Sequence, residues 1–297
     1  MPRGCLRAER IDRRRMRTRI TVGITLIAAI AGLFVLDYCL DERWFISALV
    51  VLLGFAGWCE LAKLAGIASR ERGGSALLFL VGSAATAWLL GLGWWEGARG
   101  LAPPWAAALG LFGVCLGAAV AVVFRRDYTK GFEPLLMTIL GTLLYGYFFS
   151  YLLRIYHLEG GMLKGVVFIL GVKGNDISAY FVGRTWGRVR CIAVSPKKTL
   201  EGCAAAVIFC AVWFCLAGWI WPESFFPWPV AAPLGIILSF TTQVGDLTES
   251  LLKRRFGVKD SSSLLPEFGG ILDLTDSVLF SGYLYWLLET TAPLGGR

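Results

Sequence analysis

Residues 203–221, CAAAVIFCAVWFCLAGWIW, run for 19 positions without a charged side chain. Coiled as a helix they would rise about 28 Å, close to the roughly 30 Å of a bilayer's hydrocarbon core. The run is one of a series: apolar stretches recur at 20–36, 44–62, 75–95, 103–124, 132–153, 163–182, 227–244 and 270–290. Backbone amides cannot be left unpaired in lipid, so each stretch that crosses must be helical. The pattern predicts an all-α, polytopic integral membrane protein with about nine transmembrane helices. Composition agrees, with 56% hydrophobic and only 17% charged residues among 297, against about a quarter charged in soluble chains. An ordinary soluble domain is excluded. The first run lacks a small-residue cleavage site and is followed by Asp37-Tyr38 and further spans; it is expected to be a retained helix and not a secretory leader.

The charge between the runs orients them. With the N-terminus inside, the inner segments 1–19, 63–73, 125–131, 183–201 and 245–268 hold eight, three, three, five and four Lys and Arg. The outer segments 37–43, 96–102, 154–162 and 222–226 hold one, one, one and none. The positive-inside rule therefore places the N-terminus and the two long polar connections, 183–201 and 245–268, in the cytoplasm. Of the formal net charge of +8, the tail at 1–19 carries +6, which suits an anionic membrane surface. No nucleic-acid partner is expected, since no soluble unit with interleaved aromatics accompanies those arginines. Trp44, Trp94, Trp95, Trp105, Trp221 and Trp228 fall near run ends, as interfacial anchors do. The 36 glycines, spread through nearly every run, suit close helix contact and are compatible with a homodimer. The eight cysteines form no CxxC pair, so neither a disulfide framework nor a thiolate metal site is expected. The single histidine, His157, falls on the outer side, which removes histidine-based zinc chemistry.

The chemistry gathers between Thr242 and Ser277, TQVGDLTESLLKRRFGVKDSSSLLPEFGGILDLTDS. Asp246 and Glu249 lie three apart, Lys253, Arg254, Arg255 and Lys259 follow, and Asp273 and Asp276 again lie three apart. On a helix, 273 and 276 share a face, and two carboxylates so placed at a buried helix start need protons or a cation. Asp246, just past the eighth run, can supply a third carboxylate from a facing helix. Oxygen ligands without His or Cys favour a hard cation such as Mg²⁺. With the basic cluster alongside, this is the plan of a phosphoryl- or nucleotidyl-transfer site. Plainer alternatives remain open: Asp273 and Asp276 as helix-start acids, Lys253 to Arg255 as an orientation signal, Glu249 and Glu267 as loop charges. Upstream, NDISAYFVGRTWGRVRCIAVSPKKTLEG at 175–202 adds Asp176 at a membrane depth where it must be paired or functional, and Lys197 and Lys198, which can meet phosphates or lipid headgroups. No P-loop or dinucleotide fingerprint is present.

Ser250, Lys253-Arg254, Lys259-Asp260, Pro266, Gly269-Gly270, Asp273 and Asp276 stand at the spacing of the phosphatidate cytidylyltransferase (CDP-diglyceride synthase) signature, which the chain resembles. GDLTES at 245–250, DISAY at 176–180 and SPKKTLEG at 195–202 resemble two further blocks of that family. The likeness is close over 175–277 and loose elsewhere. It departs at Phe268, where the family has His, at Leu274, where it has Arg, and at Ser262, where it has Gly. The acids and lysines are retained, so a working enzyme is expected. The resemblance implies transfer of the cytidylyl group of CTP to phosphatidate, a divalent-metal requirement and a funnel-like site open to lipid and cytoplasm. It implies Mg²⁺, with room for a second cation, on Asp246, Asp273 and Asp276. It puts phosphates on Lys253, Arg254 and Lys259, with Lys197 and Lys198 as further contacts, and makes Lys259 part of the catalytic set. The chain would then divide into a basic cytoplasmic tail (1–19), N-terminal transmembrane helices (20–162) and a C-terminal catalytic transmembrane region (163–297). The expected location is the bacterial inner membrane with the site facing the cytoplasm. Rival functions are a CTP-dependent polyprenol or lipid kinase and an ion-coupled transporter; a catalytically silent scaffold is a third.

Overall fold

The computed structural model describes residue 25 and residues 28–40, 42–69, 74–99, 105–123, 128–190, 193–262 and 269–291. The basic tail at 1–19, Pro266, Glu267 and the Phe268 departure lie outside them.

Described residues form helices α1 (Ala28–Leu40), α2 (Trp44–Leu64), α3 (Ala76–Arg99), α4 (Trp105–Val123) and α5 (Tyr128–Gly141). A π-helical stretch (Thr142–Phe148) and α6 (Tyr151–His157) continue α5; then come α7 (Gly161–Thr185), α8 (Leu200–Ile220) and α9 (Trp228–Arg255). A one-turn α10 (Ile271–Thr275), a 3₁₀ turn (Asp276–Val278) and α11 (Leu279–Thr291) follow. The fold is all-α and polytopic, but seven helices among the described residues, not nine, are long and apolar enough to cross a membrane.

The start of the first run, 20–36, lies largely outside the described residues, which carry a helix there over Ala28–Leu40. The other difference has a physical reason. The run at 270–290 is broken because polar side chains take its backbone groups. Asp276 Oδ1 accepts the N–H of Ser277 at 2.6 Å, and Lys173 Nζ, from α7, donates to the carbonyl of Leu274 at 2.9 Å and to Ser277 Oγ at 2.8 Å. A second difference matters more for the site. No helix breaker separates Val244 from Arg255, so α9 continues through the segment expected as a loop and ends on Lys253, Arg254 and Arg255, cations that complement a helix C-terminus.

Packing is inside-out relative to a soluble protein. Leu52, Leu80, Phe112, Ile208 and Phe240 are exposed outward, while Trp44, Trp105 and Trp228 stand exposed at the first residues of their helices, where interfacial anchors belong. Trp58, Tyr145, Phe149, Phe168 and Tyr285 are fully buried between helices. Buried charge is paired: Lys164 meets Glu289 at 2.8 Å, and Arg154 meets Glu96. The six described cysteines form no disulfide among themselves. α7 packs on α8 and α8 on α9; α10 rests on α2, and α11 on α9 and α6. The C-terminal half of α7, the start of α8, the end of α9 and the break all lie at one end of the bundle. His157, bonded to the carbonyl of Leu153, lies at the other end; α7 alone carries the chain about 22 Å from Gly161 to Asp176.

Candidate active site

Asp246 and Glu249, one turn apart on α9, face Asp276 in the break. One carboxylate oxygen from each lies within 4.8 Å of the other two. The α9 backbone approaches the break so closely that a Cβ at Gly245 would stand 2.3 Å from the carbonyl oxygen of Asp276; glycine is what allows this contact. Glu249 and Asp276 are buried, and Asp246 is partly exposed.

Asp273 is brought to the edge of this group but is not one of the three. Its Oδ1 takes Lys253 Nζ at 2.5 Å, and its Oδ2 takes the N–H of Ser261 at 3.0 Å, Ser261 Oγ at 2.6 Å and the N–H of Gly270 at 2.9 Å. Burial would push this carboxyl up, but the neighbouring Glu249 carboxyl and the bonds from Lys253, Ser261 and Gly270 outweigh it and hold Asp273 well below the usual carboxylate range. Asp276, also outside the seven long spans, goes the other way. Burial, with Asp246 and Asp176 adding like charge, pushes it up to about 7 despite the opposing pull of Lys173 and the Ser277 N–H.

Lys253 lies between Glu249 at 2.7 Å and Asp273 at 2.5 Å, so two carboxylates already use the charge expected for a phosphate. Arg254 and Lys259 are exposed. Lys198, just before α8, reaches Asp246 Oδ2 at 2.5 Å. Asp176 lies 3.7 Å from Lys173. Sequence reasoning did not assign Glu249 to the triad, and it missed Lys173 as a partner of the break. Glu249 would follow from its i, i+3 spacing to Asp246 once α9 is known to extend past it; the partners of Lys173 are about a hundred residues away.

The donor set suits a divalent cation. All ligand atoms are carboxylate oxygens, and Glu249 Oε1 is buried with no hydrogen-bond partner, an arrangement that is costly without a positive charge to complete it. Beside Asp246 opens a pocket of about 590 Å³ between α7, the start of α8 and α9. Arg184, Arg188, Arg190, Lys197 and Lys198 line it, against Asp176 and Asp246 as its carboxylates. Such a surplus of cations beside an acidic triad fits a polyanion bearing phosphates.

A polytopic helical membrane protein with an acidic triad able to chelate a divalent cation, opening on a basic pocket, is the class these features define. The chain belongs to the cytidylyltransferase family, whose family model matches residues 17–291. It is 39% identical over 143 residues to phosphatidate cytidylyltransferase 4, chloroplastic, of Arabidopsis thaliana, covering 47% of this chain and 36% of that protein. It is 38% identical over 138 residues to a phosphatidate cytidylyltransferase of Synechocystis, covering 45% and 46%. A Bacillus subtilis phosphatidate cytidylyltransferase is 33% identical over 183 residues, covering 61% and 67%. The chain thus spans about a third of the Arabidopsis relative and under half of the Synechocystis one. The family expected from the motifs of residues 175–277 is the family found.

Proposed function

We propose that this protein transfers the cytidylyl group of CTP to phosphatidate, giving CDP-diacylglycerol and pyrophosphate. The observation that carries the reading is the triad of Asp246, Glu249 and Asp276 at the edge of a pocket lined by five cationic side chains, in a chain of the cytidylyltransferase family.

Asp246, Glu249 and Asp276 would hold Mg²⁺, with Glu249 in the place first expected for Asp273. The bound cation would neutralise phosphate charge and polarise the α-phosphoryl oxygen. Arg184, Arg188, Arg190, Lys197 and Lys198 take the triphosphate of CTP, and Lys198 links that pocket to the triad through Asp246. Asp273 and Lys253 act as a positioning pair: Lys253 ties Glu249 to Asp273, and Asp273 ties both to the backbone N–H groups of Ser261 and Gly270. A phosphate oxygen of phosphatidate attacks the α-phosphorus; the new P–O bond forms as the α–β anhydride bond breaks, and pyrophosphate departs. A phosphate monoester is largely ionised near neutrality, so no protein base is required, in keeping with Phe268 where the family has His. Arg254 and Lys259, exposed at and just beyond the end of α9, meet lipid headgroups. The lysines and arginines around the site end of the bundle support a cytoplasmic orientation, in a bacterial inner membrane.

The test is phosphatidate with CTP labelled separately at its α- and γ-phosphates, with and without Mg²⁺. The α label should enter lipid, and only with the metal. Entry of the γ label would make the protein a lipid kinase, and entry of neither would end the proposal. In the same assay Asp276→Asn and Glu249→Gln should each lose roughly 10²–10³-fold in turnover, the scale of removing one major electrostatic contributor.

A further inference from the structure

The break that presents Asp276 is held by two side chains from the N-terminal helices. Glu60, buried on α2, accepts the N–H of Leu272 at 2.9 Å through Oε2; this is one of the first-turn amides of α10 that has no helical partner. Its other oxygen lies 3.0 Å from Ser261 Oγ, which also lies 2.6 Å from Asp273 Oδ2. The approach is so close that a Cβ at Gly270 would fall 1.7 Å from Glu60 Oε1. Tyr145, fully buried on the π-helical stretch, meets Thr275 Oγ1 at 3.1 Å. The Thr275 hydroxyl hydrogen is already given to the carbonyl of Ile271 at 2.8 Å, so Tyr145 is the donor. π-helical turns are uncommon and are often found at functional sites; this one aims a phenol at the residue next to Asp276.

We infer that Glu60 and Tyr145 are positioning residues for the cation site. Glu60 fixes the start of α10 and, through Ser261, the Asp273–Lys253 pair that reaches Glu249. Tyr145 fixes the end of α10. Between them they set where the Asp276 carboxylate stands relative to Asp246 and Glu249. The N-terminal helices then do more than anchor the chain: they complete a site whose ligands all come from the C-terminal part. The inference rests on the metal-assisted transfer proposed above, and on groups 130 to 212 residues upstream of their partners in sequence: Glu60 to Leu272 is 212, and Tyr145 to Thr275 is 130.

The test reads the metal site without turnover. Purified full-length protein is titrated with Mn²⁺ by paramagnetic resonance, in the absence of CTP and lipid, alongside thermal unfolding. Wild type should bind Mn²⁺ and release it to Mg²⁺. Glu60→Gln should bind it about tenfold more weakly, the loss typical of a group that orients a ligand. Tyr145→Phe should bind it about threefold more weakly, the scale of one hydrogen bond, and Thr275→Val, which removes the other end of that bond, should match it. A purely structural role would lower unfolding midpoints and leave the affinity of the folded protein unchanged. Folded variants with wild-type Mn²⁺ affinity would overturn the inference alone and leave the proposed function standing. Wild type that binds no Mn²⁺ would remove the metal reading, and this inference with it. Should Glu60→Gln not fold, Tyr145→Phe, which removes one oxygen, decides the matter.

Discussion

Lys198 and Lys259 were both expected to meet phosphates, yet their surroundings differ. Lys198 lines the basic pocket and touches Asp246, whereas Lys259 is exposed beyond the end of α9. Lys198→Ala should therefore raise the KM for CTP about tenfold, the worth of one charge-assisted contact. Lys259→Ala should alter CTP dependence far less, and equal effects in steady-state kinetics would contradict this placement of the nucleotide. Asp276 carries a second prediction. Burial pushes its carboxyl up to about 7 in the folded protein, against about 4 in an unfolded chain. Between those values the folded state binds more protons than the unfolded one, so this group makes stability fall as pH rises from about 4 to about 7, and the loss levels off above. A cation replaces the proton, so the rise in unfolding midpoint produced by Mg²⁺ should be larger near pH 8 than near pH 5.5. A pH-independent rise, measured by scanning fluorimetry, would show that the cation does not compete with a proton here.

The helices that carry these residues were legible to very different degrees. Apolar runs fixed α2, α3, α4 and α8 almost to their ends, because a bilayer leaves little besides continuous hydrophobicity to decide a span. Charge content hid the other two features. The acids and bases of 246–255 look like a loop, but nothing in them stops a helix, and α9 runs through to Arg255. The run at 270–290 looks like one span, but it is interrupted at Asp276–Val278 by bonds from Lys173, Glu60 and Tyr145, contacts that no local pattern announces. The same distance explains the site: Asp246 and Asp276 were legible from spacing and family likeness, whereas Glu249 needed the length of α9 and Glu60 needed the fold. The crossing of α9 with the break can be tested by filling it. A methyl group at 245 would meet the carbonyl of Asp276, which is backbone and cannot swing aside. Gly245→Ala should cost about 1–3 kcal/mol as overpacking does and should weaken Mg²⁺ activation in the protein that still folds. A variant as stable and as responsive to Mg²⁺ as wild type would show that α9 and the break do not approach this closely.

At the scale of the whole molecule the proposed function depends on which side of the membrane the site faces, because CTP would be supplied from the cytoplasm. The bundle ties the two questions together. α8 is a 21-residue helix, about 31 Å long, and it separates the basic segment lining the pocket from the turn at 221–227. If that turn is outside, the site is inside. Both flanks offer an exposed position, Ala193 before α8 and Glu223 after it. Introduced singly, Glu223→Cys should react with a membrane-impermeant maleimide in intact cells, while Ala193→Cys should react only after the membrane is opened; the parent chain, with its own cysteines, supplies the background. The positive-inside distribution demands this order, since 183–201 holds five Lys and Arg and 222–226 holds none. The opposite order would turn the pocket away from its nucleotide and would be incompatible with CTP as substrate, however well the triad binds Mg²⁺. That dependence makes accessibility at residue 193 a sharper check on the reaction than any change within the site, because it fails independently of whether the carboxylates have been assigned correctly.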